Sequence, residues 1–100
     1  MGNKKYVSNA FSLQMLASPH TFISVDEIDE EEFKREAADA ISAVGHPDTA
    51  AVLGVAFNRV NLKLNRGDEL YIAQLVGGRL PEGATKLPDG FTFKYYHIII

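Results

Sequence analysis

The sequence contains no cysteine among its 100 residues. Thiol catalysis, thiolate metal sites and disulfide bonds are therefore excluded, and an intracellular protein is the default expectation. No apolar run approaches the roughly 18 residues that a membrane span requires, and no apolar segment follows the first lysines as it would in a signal peptide. We expect a cytoplasmic protein that does not interact with membranes.

An excess of positive charge is also absent, since the formal net charge is −3. Binding of long nucleic acid requires a basic face, so we do not expect it here. A small anionic ligand remains compatible with this charge, because the acidic residues are concentrated between Asp26 and Glu32. A run of acidic residues at the start of a helix is typical of a solvated face, because the helix dipole favours negative charge there. We therefore do not expect this run to bind a metal ion.

The motifs of common cofactor and metal enzymes are missing as well. The chain has no GxGxxG or GxxxxGK[ST] phosphate loop, no HExxH, no EF-hand spacing and no GxSxG. Its histidines, His20, His46 and His97, lie far apart in sequence, and none has the neighbour at i+2 to i+4 that a metal pair needs. We expect neither a cofactor nor a metal site.

The chain does contain a pattern of short strands. Apolar and β-branched periodicity predicts strands over residues 4–8, 21–25, 60–65, 69–76 and 91–100. The turn Arg66-Gly67-Asp68 predicts that the third and fourth of these strands form a hairpin.

Helices are predicted between the strands. A short helical segment is expected over residues 10–17, and a longer helix with Asp29 as its N-cap over residues 30–44. Gly45 ends that helix, and Pro47 begins another one that extends to residue 57. This order predicts an α/β or α+β fold, in which a mixed sheet of about five strands is flanked by helices. The length allows a single domain over residues 1–100.

His46 is a candidate functional residue because it lies between Gly45 and Pro47, at or just before the start of a helix. Free backbone N–H groups of that helix can receive an anion beside it. Spacing alone supports a helix-cap role and a functional role equally. His97, within an apolar strand, is expected to be a core or interface residue, and His20 to be exposed in a turn.

Two other clusters place polar residues near the ends of strands. Gln74 lies in a predicted strand, and the loop after it contains Arg79, Glu82 and Gly83. The planar guanidinium of Arg79 suits a phosphate, although such a loop by itself is more often a solvated turn. The segment Ser8–Ser12 lies at a strand-to-helix junction and by itself is typical of an N-cap.

These segments together resemble the viral ring nuclease family of type III anti-CRISPR proteins, small proteins also found in prophages and some bacterial genomes. The resemblance spans nearly the whole chain. It is carried by the order and spacing of Asn9–Ser12, Met15-Leu16, Gly45-His46, Leu70–Leu75 and Arg79–Gly83.

The resemblance implies a metal-independent phosphodiesterase that binds cyclic tetra-adenylate, the second messenger of type III CRISPR complexes. Such an enzyme cuts the ring to linear di-adenylates that end in a 2′,3′-cyclic phosphate and so switches the signal off. The implied catalytic residues are His46, Arg79 and Glu82. The implied ligand-binding residues are Asn9, Ala10, Phe11, Ser12, Gly45, Gln74 and Gly83.

The family is dimeric, so the resemblance also implies a homodimer, whose two-fold axis would match the symmetry of the ring. The apolar residues 95–100 are expected either at its interface or in the core beneath. This chain is compact compared with the longer viral members, with a short loop between Leu80 and Phe91, so a shorter lid is expected.

The implied reaction needs little from the protein, because an RNA-type linkage carries its own nucleophile in the 2′-hydroxyl. His46 would protonate the leaving 5′-oxygen, and Arg79 would pair with the phosphate. Glu82 would orient one of these residues, contact a ribose hydroxyl or accept the 2′-hydroxyl proton. Two alternatives stay open: a protein that sequesters the cyclic nucleotide without cutting it, and a small protein-interaction domain in which His46 is only a cap.

Overall fold

The computed structural model describes residues 4–16 and 23–100, and within them the chain forms five strands and two α-helices. The strands are β1 (Lys5–Ser8), β2 (Ser24–Ile28), β3 (Ile41–Ser42), β4 (Glu69–Val76) and β5 (Thr92–Ile99). The helices are α1 (Glu30–Ala37) and α2 (Pro47–Leu53), and a 3-10 turn covers Leu13–Met15.

The five strands form one mixed sheet in the order β2-β5-β4-β1-β3. β1 pairs in parallel with both β3 and β4, whereas β5 is antiparallel to its two neighbours, β4 and β2. The carboxyl ends of β1, β3 and β4 therefore meet at one edge of the sheet, which we call the carboxyl edge. The predicted fold class is confirmed: the protein is a single α+β domain built on a five-stranded mixed sheet.

Both faces of the sheet are covered. Successive side chains of the central strand β4 point to opposite sides, so β4 contributes to both cores. One face of the sheet, which we call the helix face, packs against α1 and α2. The buried residues of this contact, from the sheet and from α1, are Val7, Phe33, Ala37, Tyr71, Ala73 and Phe93. The loop face packs against the 3-10 turn and the segment before β4, and its buried residues are Leu64, Leu70, Ile72, Ile98 and Ile100. The apolar end of β5 thus contributes Ile98 to the core.

The helix caps follow the sequence. The Asp29 carboxylate accepts the backbone N–H of Glu32 at 2.8 Å, which confirms the predicted N-cap of α1. Pro47 is the first residue of α2. That helix is shorter than predicted, because Gly54 takes a left-handed conformation with φ of 75° and ends it after Leu53.

The helix predicted over residues 30–44 is wrong in its second half. α1 ends at Ala37, and Ile41 and Ser42 instead form β3, paired with Tyr6 and Val7 of β1. Apolar spacing cannot separate the two outcomes here, because the apolar residues at 40, 41 and 44 suit a helix as well as the observed strand, after which Val44 is fully buried. Parallel pairing with β1, which is distant in sequence, decides in favour of the strand.

The hairpin predicted between residues 60–65 and β4 is also wrong. β4 pairs with β1 and β5, and residues 60–65 form no strand, although Leu64 is buried and bridges to Leu16. The carboxylate of Asp68, itself 4% exposed, accepts the backbone N–H groups of Lys4 and Asn65. The hydrogen bond from Lys4 holds the start of β1 beside the start of β4. The strand β1 thus takes the position beside β4 that residues 60–65 would have taken in a hairpin.

The remaining predictions concern four strands, one short helix and His20. The strands predicted over residues 4–8, 69–76 and 91–100 are confirmed as β1, β4 and β5. Of the strand predicted over residues 21–25, residues 24 and 25 lie in β2, which continues to Ile28, and the described part of the helix predicted over residues 10–17 contains a single 3-10 turn. His20, with the rest of residues 17–22, lies outside the described residues.

Candidate functional site

The carboxyl edge brings together three segments that are far apart in sequence. Residues 9–12 follow β1, residues 44–46 follow β3, and the loop with residues 79–83 follows β4. The register pairs Val7 with Ser42 and Ser8 with Ile72, so β1 and β3 end at similar heights, whereas β4 continues beyond them to Val76. In open α/β sheets, ligands bind beyond the carboxyl ends of the strands, which makes this edge the candidate site.

His46 is exposed at this edge and caps α2. Its Nδ1 accepts the backbone N–H of Thr49 at 3.4 Å and lies 3.3 Å from the Thr49 hydroxyl oxygen. The other ring nitrogen, Nε2, makes no hydrogen bond within residues 4–16 and 23–100. The ring is therefore held at one nitrogen and leaves the other open to a ligand, so the helix-cap role and a functional role are compatible.

The backbone before His46 is fixed by a segment that follows α2. Arg59 donates from both Nε and Nη2 to the carbonyl oxygen of Gly45, at 3.2 Å each. Next to it, the backbone N–H of Asn58 donates to the carbonyl oxygen of Val44 at 2.9 Å. The turn that carries His46 is thus held at two successive carbonyl groups.

The loop after β4 contacts the first turn of α2. The backbone N–H of Gly83 donates to Oδ1 of Asp48 at 3.2 Å, two residues after His46. Gly83 has φ of 77°, a conformation that glycine adopts readily. Glu82 is therefore brought beside the start of the helix that His46 caps.

Arg79 and Glu82 are both exposed. Neither side chain forms a hydrogen bond or ion pair with another part of the chain that the structure describes. The structure thus places Arg79 in the same loop as Glu82 but shows no contact between either residue and His46.

Four of the predicted ligand residues line a second part of the carboxyl edge, on the loop face. A cavity of about 360 Å³ is bordered there by Asn9, Ala10, Phe11, Val25, Ile72, Gln74, Tyr96 and Ile98. The polar groups of Asn9 and Gln74 therefore lie over an apolar floor, a composition typical of small-ligand sites. Ser12 does not border this cavity and lies instead in a separate depression with Gln14 and Lys63.

None of the described groups with clearly shifted pKa values is a predicted site residue, and burial accounts for the raised pKa of Tyr95 on β5. Near the start of β1, hydrogen bonds from the Lys5 ammonium group hold the pKa of the Glu36 and Asp39 carboxyls below their ordinary values. Burial, with the nearby Glu69 carboxylate, raises the pKa of Tyr71 to about 12. The Lys5 ion pairs and the Tyr71 hydroxyl therefore do not mark the candidate site.

His97 contacts both Glu69 and Tyr71. Its Nε2 lies 2.8 Å from Oε1 of Glu69, and its ring stacks on Tyr71 with centroids 4.5 Å apart. The expectation that His97 packs within the fold is confirmed.

No three His, Asp or Glu side chains converge into a metal-binding group in the described part of the chain. Among the helices of residues 4–16 and 23–100, none combines the length and apolarity that crossing a bilayer requires.

Comparison with known proteins shows the family to which the chain belongs. The family model STIV B116-like matches residues 5–91. The chain belongs to the STIV B116-like family. The solved structure of B116 from Sulfolobus turreted icosahedral virus is similar over 98% of this chain and 100% of that protein, with 31% sequence identity and a TM-score of 0.81. No protein with curated annotation matches.

Three residues of this candidate site were not predicted from the sequence: Asp48, Thr49 and Arg59. Each acts through a contact with a predicted residue, namely Gly83, His46 and Gly45. Thr49 was accessible to prediction, because a residue three positions after an N-cap donates to the cap. The other two contacts depend on how the segments after α2 and β4 pack, and no local pattern indicates them.

Proposed function

We propose that this protein is a metal-independent ring nuclease that cleaves cyclic tetra-adenylate to linear di-adenylates and thereby switches off type III CRISPR signalling. One observation carries the proposal: the hydrogen bond between Gly83 and Asp48 joins the loop of Arg79 and Glu82 to the helix that His46 caps. The sequence resemblance to viral ring nucleases assigns catalysis to these same three residues. Membership of a family named after a viral protein agrees with the resemblance to viral ring nucleases.

The reaction is an internal transesterification. The 2′-hydroxyl oxygen of one ribose attacks the adjacent phosphorus, the bond from phosphorus to the 5′-oxygen breaks, and a 2′,3′-cyclic phosphate remains. His46 donates a proton to the leaving 5′-oxygen from Nε2, the ring nitrogen that makes no hydrogen bond within the described residues. Alignment of the three reacting atoms supplies the rest of the acceleration.

The loop residues supply charge. Arg79, which is exposed, pairs with the phosphate as negative charge develops on its oxygens. Glu82 has two compatible roles, as the acceptor of the 2′-hydroxyl proton or as the residue that orients Arg79 or His46. The resemblance also assigns ligand binding to Gly45 and Gly83, while Asn9 and Gln74 supply polar contacts at the cavity on the loop face.

A homodimer completes the proposal. Cyclic tetra-adenylate is symmetric, and two cuts on opposite sides of the ring give two identical di-adenylates. A two-fold axis through the ring would place one His46 from each subunit at each of these linkages. Light scattering at micromolar concentration tests this arrangement, and a monomeric mass would contradict it.

The activity is tested by incubating the purified protein with cyclic tetra-adenylate in EDTA and separating the products by chromatography and mass spectrometry. We expect di-adenylate with a 2′,3′-cyclic phosphate. The matched variants are His46→Ala and His46→Asn, because asparagine is a good N-cap but cannot act as a general acid. Both variants should lose about 10² to 10⁴ in rate. If His46→Asn cuts as fast as the parent, His46 is only a cap.

A non-catalytic, sequestering role is the second candidate. It is favoured by the observation that the His46 ring already has a complete structural role, since its hydrogen bonds with Thr49 cap α2 without any ligand. Isothermal titration of the parent with cyclic tetra-adenylate separates the two. Tight binding without product would establish sequestration.

A further inference from the structure

The Thr49 hydroxyl is a buried polar group directed at the candidate catalytic residue. Thr49 is 6% exposed, and its Oγ1 lies 3.3 Å from Nδ1 of His46. The backbone N–H of the same residue lies 3.4 Å from the same nitrogen. Thr49 therefore presents two hydrogen-bonding groups to a single ring atom.

An N-cap requires only one of these groups. The backbone N–H is a donor and matches a neutral ring in which Nδ1 is the acceptor and Nε2 carries the hydrogen. A general acid must also be stable in its protonated form, in which Nδ1 carries a hydrogen and no longer accepts. A backbone N–H has no lone pair to receive that hydrogen, so it cannot serve the protonated ring.

A hydroxyl group serves both forms, because it donates to a bare nitrogen and accepts from a protonated one by rotating its hydrogen. We infer that Thr49 is a positioning residue for His46: its hydroxyl binds Nδ1 in both protonation states and keeps Nε2 directed at the ligand. This inference rests on the proposed function, in which His46 is the general acid.

The charged groups around His46 do not replace the hydroxyl. The Asp48 carboxylate accepts the Gly83 N–H, and the Arg59 guanidinium donates to the Gly45 carbonyl oxygen. Arg79 and Glu82 are exposed on the loop after β4. Within the described residues, the hydrogen bonds of the His46 ring are made with Thr49.

The test compares Thr49→Val with Thr49→Ser. Valine has the shape of threonine and keeps the backbone N–H but lacks the hydroxyl, whereas serine keeps the hydroxyl. Thr92→Val is the matched control, because Thr92 is exposed at the start of β5, where it pairs with Val76. Thermal unfolding followed by circular dichroism verifies that each variant is folded.

The first readout is the cleavage of cyclic tetra-adenylate in EDTA as a function of pH. We expect Thr49→Val to lower kcat about ten- to a hundred-fold with little change in KM, as for loss of a hydrogen bond to a charged group. The alkaline limb of its pH profile should move to lower pH, because the protonated ring has lost its acceptor. Thr49→Ser and Thr92→Val should match the parent in both respects.

The second readout does not depend on activity. Nitrogen-15 NMR follows the protonation of the His46 ring, and its titration midpoint should fall in Thr49→Val and recover in Thr49→Ser. An unchanged midpoint together with an unchanged kcat in Thr49→Val would overturn the inference while leaving the proposed function intact. A parent protein that does not cut the ring would instead overturn the proposed function, and with it the catalytic role of Thr49.

Discussion

The backbone N–H of Gly83 donates a hydrogen bond to the carboxylate of Asp48 at 3.2 Å, across 35 positions of sequence. This contact ties the loop after β4 to the first turn of α2. It is made by the backbone of the loop, so it sets the position of the chain on both sides of Gly83, including Glu82.

Removal of the Asp48 carboxylate should loosen this loop. We expect Asp48→Ala to lower kcat/KM for cyclic tetra-adenylate about three- to ten-fold, the range for one hydrogen bond, with little change in global stability because the contact is exposed. Asp48→Asn keeps an acceptor oxygen and should retain most of the activity. Amide hydrogen exchange at Gly83 should accelerate in Asp48→Ala. Equal exchange in both variants would show that the contact does not restrain the loop.

The two hydrogen bonds from Arg59 to the Gly45 carbonyl oxygen should affect kcat more than the melting temperature. Arg59→Ala removes both donors, so the turn before His46 loses one of its two supports, and we expect about a ten-fold loss in kcat. Arg59→Lys offers a single donor and should lie between the parent and the alanine variant. Steady-state kinetics beside thermal melts checks this order. A melting temperature that falls in parallel with kcat would instead indicate a general loss of structure.

Two glycines near the site should respond differently to alanine. Gly54 has φ of 75° and open space around it, so Gly54→Ala introduces backbone strain without a clash. We expect it to lower the free energy of unfolding by about 1 kcal/mol. A Cβ at Gly45 would lie 3.6 Å from Arg59, an ordinary contact, so Gly45→Ala should leave stability nearly unchanged. Urea denaturation of the two variants measures the difference.

The ion pairs of Lys5 should make stability depend on acid pH. The pKa values of Glu36 and Asp39 are lowered in the folded state, so their contribution is present above the ordinary carboxyl pKa of about 4 and is lost as the pH falls below it. Lys5→Met removes the cause of both shifts. Urea denaturation between pH 6 and pH 2 should show a smaller loss of stability in the variant than in the parent. A parallel pH dependence would mean that these pairs contribute nothing measurable.

The sequence predicts those parts of the fold that depend on neighbouring residues. The strands β4 and β5 follow from β-branched and aromatic runs, and the caps at Asp29 and His46 follow from residue type and position. The strand β3 was mispredicted as helix, and the pairing of β1 with β4 was not predicted, because both depend on parallel partners more than 30 residues away. Apolar spacing in residues 40–44 suits a helix equally well, and only the tertiary partner decides.

The same division holds for the candidate site. His46 could be predicted as an exposed cap because Gly45 and Pro47 flank it. The Arg59 fork could not, since it depends on how the chain returns after α2 to lie against residues 44 and 45.

The position of β5 has a consequence for how the protein is made. Within the described residues, β2 joins the sheet through β5, although 63 residues separate Ile28 from Thr92. A nascent chain therefore cannot complete its sheet until residues 92–99 have left the ribosome, and such distant pairings are typical of slow folding. The segment of β2 emerges long before its partner strand, so we expect it to join the sheet only after β5 has emerged.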